Sequence, residues 1–513
     1  MNALPTFSRI ARFLCPGRRT LTIVVAIVAV IATTHVVEML RAGRAWANYR
    51  AQAEAGGVTF SLAKLLPDPN VPAAENFATV PLVDAAVRGR RGEIPYPTDL
   101  DLPQGISELL RDGDQPFDLG ELSRALVDAG WTPGDPAASD AVVASRGLAR
   151  FDPLLTQLKD GAQRRYARYP RDLDHPELTA PPPFLLLRRA AQALHLRFEA
   201  HAASGDLDAA CADFELTLQL ARTLDQSPML VGGMIKVTIT QLPVNNLRHW
   251  LHRAPWTDAH LARFAAGLQG SALLLAYARA MAVERGFVTH HGVEAAAGKL
   301  EPMDLFFLHK QSDAEIAGLE QLQKSAARVL WKLYPRGWHL RSVVWSNEKC
   351  FDWFDSRIDA AQHRWSPTGG DDFDAQFDGG WFKRLQLALA YIAVPNFLRA
   401  EARTISVQAQ VDLARTALAL EQHQRSHGAY PAQLADLGPT VTGTLPNDLT
   451  TGEPLHYRAT ADGHFQLYSL SYNRTDDGGS TKPDPSAPQI GELAQTLDWV
   501  WPQPTRPIVA AAP

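Results

Sequence analysis

A mainly helical chain, with one membrane-spanning segment near its N-terminus and a small α+β module at its C-terminus, is what this sequence predicts. Three observations predict it. An apolar run stands behind a group of arginines, from Leu21 to Ala32 and on through Thr33, Thr34, His35, Val36 and Val37. Helical periodicity dominates from Leu185 onward. Period-two alternation appears only in the last sixty residues, at Leu455-His456-Tyr457-Arg458 and Phe465-Gln466-Leu467-Tyr468-Ser469, with Ala461-Asp462-Gly463 turning between them.

Residues 1–19 form a short tail that carries Arg9, Arg12, Arg18 and Arg19, and the anchor follows at residues 20–40. Its apolar part, Leu21 to Val37, is seventeen residues long. As a helix that is roughly 25 Å, just enough to cross the hydrocarbon of a bilayer. Upstream arginines hold their end of a span in the cytoplasm, which places the bulk of the chain outside. Arg41, Arg44 and Arg50 weaken that orientation without reversing it. Ala45-Trp46-Ala47 mimics a signal-peptide cleavage site, but Glu38, Arg41 and Arg44 separate it from the apolar core, so an uncleaved anchor is expected.

Residues 41–183 read as irregular and only partly helical. They have a helical start, a turn at Leu66-Pro67-Asp68-Pro69-Asn70, and short helical pieces at Ile106–Arg111 and Glu121–Ala129. Pro181-Pro182-Pro183 closes the region. A helical domain is expected over residues 184–395, with helices from Leu185 to Ala203 and from Leu207 to Leu224. Further helices run from an N-cap at Thr257 to Leu268, then over Ala272–Phe287, Asp313–Leu333 and Ser342–Ile358. Gly205-Asp206-Leu207-Asp208-Ala209-Ala210, with Asp213-Phe214 and Pro228, resembles one helix-turn-helix of a tetratricopeptide repeat. A solenoid needs at least three such units, so an antiparallel helix pair stands beside the solenoid-like reading. Trp331, Trp338, Trp345 and Trp353 read as packing between helices rather than as a ligand platform. The loop from Ser366 to Gly380 holds Asp371, Asp372, Asp374 and Asp378, but Gln376 stands where an EF-hand needs its fifth-position ligand.

The module spans residues 396–505, with a tail at 506–513. A helical run begins near Phe382, is interrupted at Pro395 and resumes through Gln424. Then come His427-Gly428-Ala429-Tyr430-Pro431, Leu445-Pro446-Asn447-Asp448, Gly452-Glu453-Pro454-Leu455-His456-Tyr457, and Tyr468-Ser469 leading to Asp476-Asp477-Gly478-Gly479. In that order the segments resemble the globular end of the major pseudopilin of type II secretion, a calcium-binding helix-plus-small-sheet module. Calcium takes hard oxygens from flexible loops. Asn473, Asp476 and Asp477 offer them, Gly478-Gly479 lets the backbone turn back, and Asp484 or Asp498 closes the set from downstream. The resemblance implies Asn473 at the family's loop aspartate and Asp498 at its later one. A solvated turn stapled by its own hydrogen bonds explains the same residues.

Pseudopilins place their membrane helix directly before this module. Here the span ends at residue 40 and the module begins at residue 396, and Arg18-Arg19-Thr20-Leu21 lacks the glycine–aromatic processing junction. A filament subunit is not expected. The chain as a whole is similar to a family of single-pass bacterial envelope proteins, through its anchor, Glu75-Asn76-Phe77-Ala78, its helical middle, Pro335-Arg336-Gly337-Trp338 and the C-terminal module. That resemblance implies the inner membrane, a periplasmic bulk, and partners among envelope or secretion proteins.

The net charge of -5 gives no electrostatic footprint for nucleic acid. Nucleophile motifs such as G-x-S-x-G, or S-x-x-K with its partners, do not occur in a convincing context. His423 and His427 share a helix face near Glu421, a spacing zinc can use, but a third ligand is not evident and a helix-end role fits. His290 and His291 are adjacent rather than on one face. Carboxylates such as Glu199 and Asp213 are what any helical domain supplies. Cys15 precedes the apolar run, and Cys211 and Cys350 have no CxxC neighbour, which leaves a disulfide between these two open in an oxidising compartment. The expected function is a non-catalytic, protein-binding or scaffold role linked to secretion or envelope assembly. The alternative is an envelope hydrolase whose acidic site is assembled from dispersed residues.

Overall fold

The computed structural model describes residues 18–103, 105–106, 110, 118–171, 182–300, 334–366, 380–388, 390, 395–438, 443–461, 463–485 and 496–502. The helix expected over Asp313–Leu333, Trp331, the aspartates 371 to 378, Cys15, most of the N-terminal tail and the last residues lie outside them, as does most of Ile106–Arg111. The chain divides into a smaller unit (residues 1–60, 287–350 and 375–394) and a larger one (61–286, 351–374 and 395–513).

In the smaller unit a single helix runs from Arg18 to Ala55 without a break. The expected anchor is its first half. Every residue from Leu21 to Thr34 is exposed. Cover begins further on, where Ala42 packs against Ala296 and Leu340, with Trp46 and Val293 beside them. Leu340 belongs to helix Arg336–Ser346, and Ala296 to the end of helix Leu273–Ala297. Two glycines permit this close packing. A Cβ on Gly337 would stand 2.4 Å from the Glu38 carbonyl carbon, and one on Gly292 would stand 2.2 Å from a Val343 methyl. The helix expected over Ser342–Ile358 begins earlier, at Arg336, and passes through a π-helical turn at Asn347–Phe351. The fully buried Asn347 accounts for the start of that turn, since its amide donates to the Val343 carbonyl and to Thr289 Oγ1.

The larger unit has two cores. The first joins helices Pro81–Arg90, Leu119–Asp128, Asp140–Leu148 and Asp152–Ala162 to helices Phe184–Ser204 and Leu207–Thr223, through Val83, Leu126, Leu148, Leu158, Leu187, Leu194 and Leu220. The described part of residues 71–183 is therefore more helical than expected, and it shares this core with the two helices that follow. The reason is local. Several of the aspartates, serines and prolines that read as loop signals are helix starts. Asp118 accepts from the Gly120 and Glu121 amides, Ser139 caps Val142, and Pro81 and Pro153 stand in first turns. Asn76, in the early Glu75–Ala78 segment, clasps the Arg168 backbone through both its amide oxygen and its amide nitrogen.

The second core joins Phe198, Phe214, Trp256 and Phe264 to Ile405, Leu413 and Leu420 of helix Pro395–His427, and to Phe465, Leu467, Trp499 and Trp501. Residues on both sides of the segment 287–394 thus share this core, and one division between the two units falls at 394/395. The expected helix pair is present as Phe184–Ser204 and Leu207–Thr223, followed by Leu230–Trp250 and by Asp258–Gln269. Thr257 caps the last of these, with His260 closing the capping box. The stretch 258–297 has the length and apolarity of a second span, but Leu261, Phe264, Leu273, Tyr277 and Met281 are buried in protein, as core-helix residues are.

Two small antiparallel sheets complete the unit. Strands β1 (Ile358–Asp359) and β2 (Arg364–Trp365) form a short hairpin. Strands β3 (His456–Ala459), β4 (Phe465–Leu470) and β5 (Asp498–Val500) lie in that order, with His456 opposite Tyr468 and Ser469 opposite Trp499. The hairpin expected near residue 460 is β3–β4, and β5 was not foreseen.

Candidate functional site

The loop after β4 places the four expected metal residues in one neighbourhood of hydrogen bonds. Asp498, at the start of β5, is fully buried, and its Oδ2 accepts from the Gly479 and Ser480 amides at 2.9 and 3.1 Å. Gly478 and Gly479 both have positive φ, which turns these amides toward it. Asp476 Oδ1 accepts from Tyr468 Oη and the Gly478 amide, and its Oδ2 lies 3.3 Å from His456 Nδ1. Those bonds, the Gly478 amide first, hold the Asp476 carboxyl below the usual carboxylate range. Asn473 Nδ2 donates to Asp477 Oδ2 at 2.9 Å. Asp484 is buried in the segment whose start pairs with residues 496–498.

Much of the acidic loop is thus stapled by its own hydrogen bonds. Among the described residues, no three His, Cys, Asp or Glu side chains converge on a point that would hold a metal ion. The buried Asp498 Oδ1 invites a cation, since it has no hydrogen-bond partner among the described residues. Burial raises this carboxyl's pKa, the charges of Asp477 and Asp476 raise it further, and the two amide bonds oppose them. Calcium in this place would be held by Asp498 and Asp477 with loop carbonyls and water.

The histidine pairs are satisfied locally. His423 and His427 stack with ring centroids 4.1 Å apart, and their Nδ1 atoms meet the Ala429 and His423 carbonyl oxygens. Glu421 turns instead to Tyr430 Oη and to His252. Glu199 is enclosed by Asn246, Trp250 and His249, and Asp213 by Arg197 and His201. Burial would raise the Glu199 carboxyl, but His249, His195 and the Trp250 N–H outweigh it and lower it. Trp353 lies under the Arg357 guanidinium, 4.1 Å from ring centroid to Cζ, and Trp338 packs on Tyr334. Cys211 and Cys350 are buried free thiols, and burial pushes both up to about 12.

The chemistry that sequence reasoning missed lies along helix Pro395–His427. Arg357, just before β1, grips the buried Glu401 carboxylate through Nε and Nη2 at 2.8–3.2 Å. His363, in the β1–β2 turn, sets Nε2 2.6 Å from Asp412 Oδ2. Gln408 donates to Asp412 Oδ1 at 3.0 Å, and its own Oε1 accepts from the Leu273 amide. Asp412 is almost fully buried, whereas the His363 side chain is 34% exposed. His363 also has φ +53°, an uncommon conformation for a residue other than glycine. Burial lowers its affinity for a proton, but the hydrogen bond and charge of Asp412 outweigh burial and raise its pKa. A carboxylate that orients an imidazole open to solvent is the arrangement of a general base. A signal for it was present: Thr404, Gln408, Asp412 and Thr416, spaced by four, form a polar line on an otherwise buried helix.

No protein-family model, curated protein or solved structure matches the chain.

Proposed function

We propose that the chain is a non-catalytic, membrane-anchored protein of the bacterial envelope, with its bulk in the periplasm and protein partners of the secretion or envelope-assembly kind. The observation that carries this reading is the helix Arg18–Ala55. It is exposed on all sides over Leu21–Thr34 and continues unbroken into a packed unit. A helix built so fixes a folded load at a bilayer. The arginines at 9, 12, 18 and 19 support the orientation. A long helix followed by an antiparallel hairpin supports the pseudopilin-like reading of the C-terminal module. The buried Asp498 oxygen supports calcium as a staple of its loop, with Asn473, Asp476 and Asp477 around it.

The test is residue-specific photocrosslinking in the native membrane. Truncation at residue 396 would strip the second core and confuse unfolding with lost binding. Crosslinkers at exposed Val231 and Leu275 sample the helical part, and one at Ala459 samples the module. Capture of envelope-assembly or secretion components supports the adaptor. Capture of none at any position rejects it, and release of the chain by carbonate rejects the anchor.

The His363–Asp412 pair favours a second reading, an envelope hydrolase that uses His363 as general base. Turnover of a chromogenic ester, glycoside or phosphoester that is lost in His363→Asn would establish it.

A further inference from the structure

The smaller unit exposes a group of large apolar side chains outside the span. Helix Trp381–Gln386 presents Trp381 at 77%, Phe382 at 50% and Leu385 at 43% exposure. Leu385 stands four residues from Trp381 and three from Phe382, spacings that share a helix face, and Lys383 and Arg384 sit among them in the sequence. An apolar face of this kind on a protein surface calls for an occupant.

Its place in the unit decides which. Arg341 reaches two ways: Nη2 donates to Glu38 Oε2 at 2.7 Å, and Nη1 donates to Gln386 Oε1 at 3.2 Å. The Gln386 carbonyl accepts from Ser342 Oγ, the Leu385 carbonyl accepts from Tyr334 Oη, and Trp338 meets the Phe382 ring edge-on at 5.7 Å. Gly337 lies directly on the backbone of Glu38 and Met39. The short helix is therefore fastened at the level of Glu38. Leu21 to Leu40 rises about 30 Å, the thickness of bilayer hydrocarbon, so Glu38 stands where the helix leaves the hydrocarbon for the headgroups. That is the level at which tryptophan rings and basic side chains gather on membrane proteins.

We infer that helix Trp381–Gln386 is an interfacial foot: it docks Trp381, Phe382 and Leu385 into the bilayer surface beside the anchor. This rests on the membrane-anchor reading. The docked foot and the anchor give the smaller unit two points of attachment, which fixes its tilt on the membrane rather than leaving it to swing on one helix.

The test places nitroxide labels at Trp381→Cys, Val28→Cys and Ala459→Cys, each in a full-length chain with Cys15→Ser, reconstituted in vesicles of phosphatidylethanolamine and phosphatidylglycerol. Collision with oxygen and with a water-soluble nickel chelate reports depth. Trp381 is so exposed that its replacement leaves packing intact. The expected result is severalfold greater oxygen preference at Trp381→Cys than at Ala459→Cys, and greater still at Val28→Cys. A Trp381→Cys label as open to nickel as Ala459→Cys, with Val28→Cys still in lipid, overturns the foot alone. Val28→Cys open to nickel overturns the anchor itself. Spin–spin broadening at Trp381→Cys, relieved by dilution with unlabelled chain, assigns the face to a second copy and also overturns the foot.

Discussion

Gly337 lies against Glu38 so closely that there is no room for a methyl group between them: a Cβ on Gly337 would fall 2.4 Å from the Glu38 carbonyl carbon, 2.5 Å from its oxygen and 2.6 Å from the Met39 nitrogen. All three are backbone atoms, so no rotamer change relieves the clash. Gly337→Ala should cost about 1–3 kcal/mol as an overpacking change, and it should raise hydrogen exchange over residues 336–346 in the detergent-solubilised chain. Gly43, on the same long helix, has nothing within 4 Å of its would-be Cβ. Gly43→Ala should be neutral or stabilise by up to ~1 kcal/mol. Equal effects of the two substitutions in thermal melts would mean that the contact at Glu38 is not tight.

Among the described residues, Arg357 and Glu401 form the most enclosed bidentate ion pair, with side-chain exposures of 6% and 3%. Burial pushes the Glu401 carboxyl up against the pull of Arg357. Arg357→Met leaves that carboxyl buried and unpaired, and should cost roughly 3–5 kcal/mol. The double variant Arg357→Met, Glu401→Met should recover much of the loss, because an apolar pair carries no desolvation penalty. A double variant as unstable as the single one in thermal unfolding would show that the cost lies in packing under Trp353 rather than in the stranded charge.

What the sequence made legible, and what it hid, follows from how local each cause is. Thr257 was readable as a cap because its partner, the His260 amide, is three residues away. The apolar N-terminal helix and the β3–β4 hairpin were readable for the same reason. Strand β5 is three residues long and is defined only by its pairing with β4, so no alternation announces it. Of the acidic loop, the turn-forming residues were legible. What was not is that Asp498 Oδ2 binds two amides nearly twenty positions earlier while Oδ1 binds none among the described residues. The His363–Asp412 contact depends on a hairpin of two-residue strands folding back onto a helix, and no sequence window spans both.

His363 should make stability fall as pH rises above neutrality. Its pKa in the folded chain is raised over the ordinary 6.5, the Asp412 contact outweighing burial. A raised folded pKa contributes stability that is fully present below the unfolded value and is lost as pH rises through the folded one. His363→Asn tolerates the positive φ and removes the charge. The difference in Tm between the natural chain and His363→Asn should be largest below about pH 6.5 and should shrink above it. A difference that is flat from pH 6 to pH 9 would mean that the imidazole is not protonated in the pair.

His339 acts in the opposite direction and in a different unit. Burial first, and the neighbouring Arg336 charge second, lower its pKa to about 4. It is therefore neutral in the folded chain when the unfolded chain already binds a proton. Stability is full above about pH 6.5 and is lost as pH falls from there toward the folded value, by up to ~3 kcal/mol at about 1.4 kcal/mol per pH unit. Acid should loosen helix Arg336–Ser346, and with it the packing around Leu340 and Ala42. Hydrogen exchange of that helix at pH 7 and pH 5 should show it, and His339→Gln should abolish the difference.

Calcium should stabilise the C-terminal loop through the buried Asp498 Oδ1, which has no hydrogen-bond partner among the described residues. A ligand that binds only the folded state at a hundred times its Kd adds about 2.7 kcal/mol, so EDTA should lower the Tm and added calcium should restore it. Asp477→Ala should abolish the shift by removing the neighbouring carboxylate. Asp498→Asn is the sharper variant. It keeps an oxygen for the Gly479 and Ser480 amides and replaces the stranded Oδ1 with a donor. Burial and the nearby Asp477 and Asp476 charges raise the Asp498 pKa, so ionising it without calcium costs stability as pH rises through that value. In EDTA at neutral pH, Asp498→Asn should therefore melt at or above the temperature of the natural chain, while showing no response to calcium. A natural chain whose Tm ignores calcium would leave the loop as a turn stapled by its own hydrogen bonds.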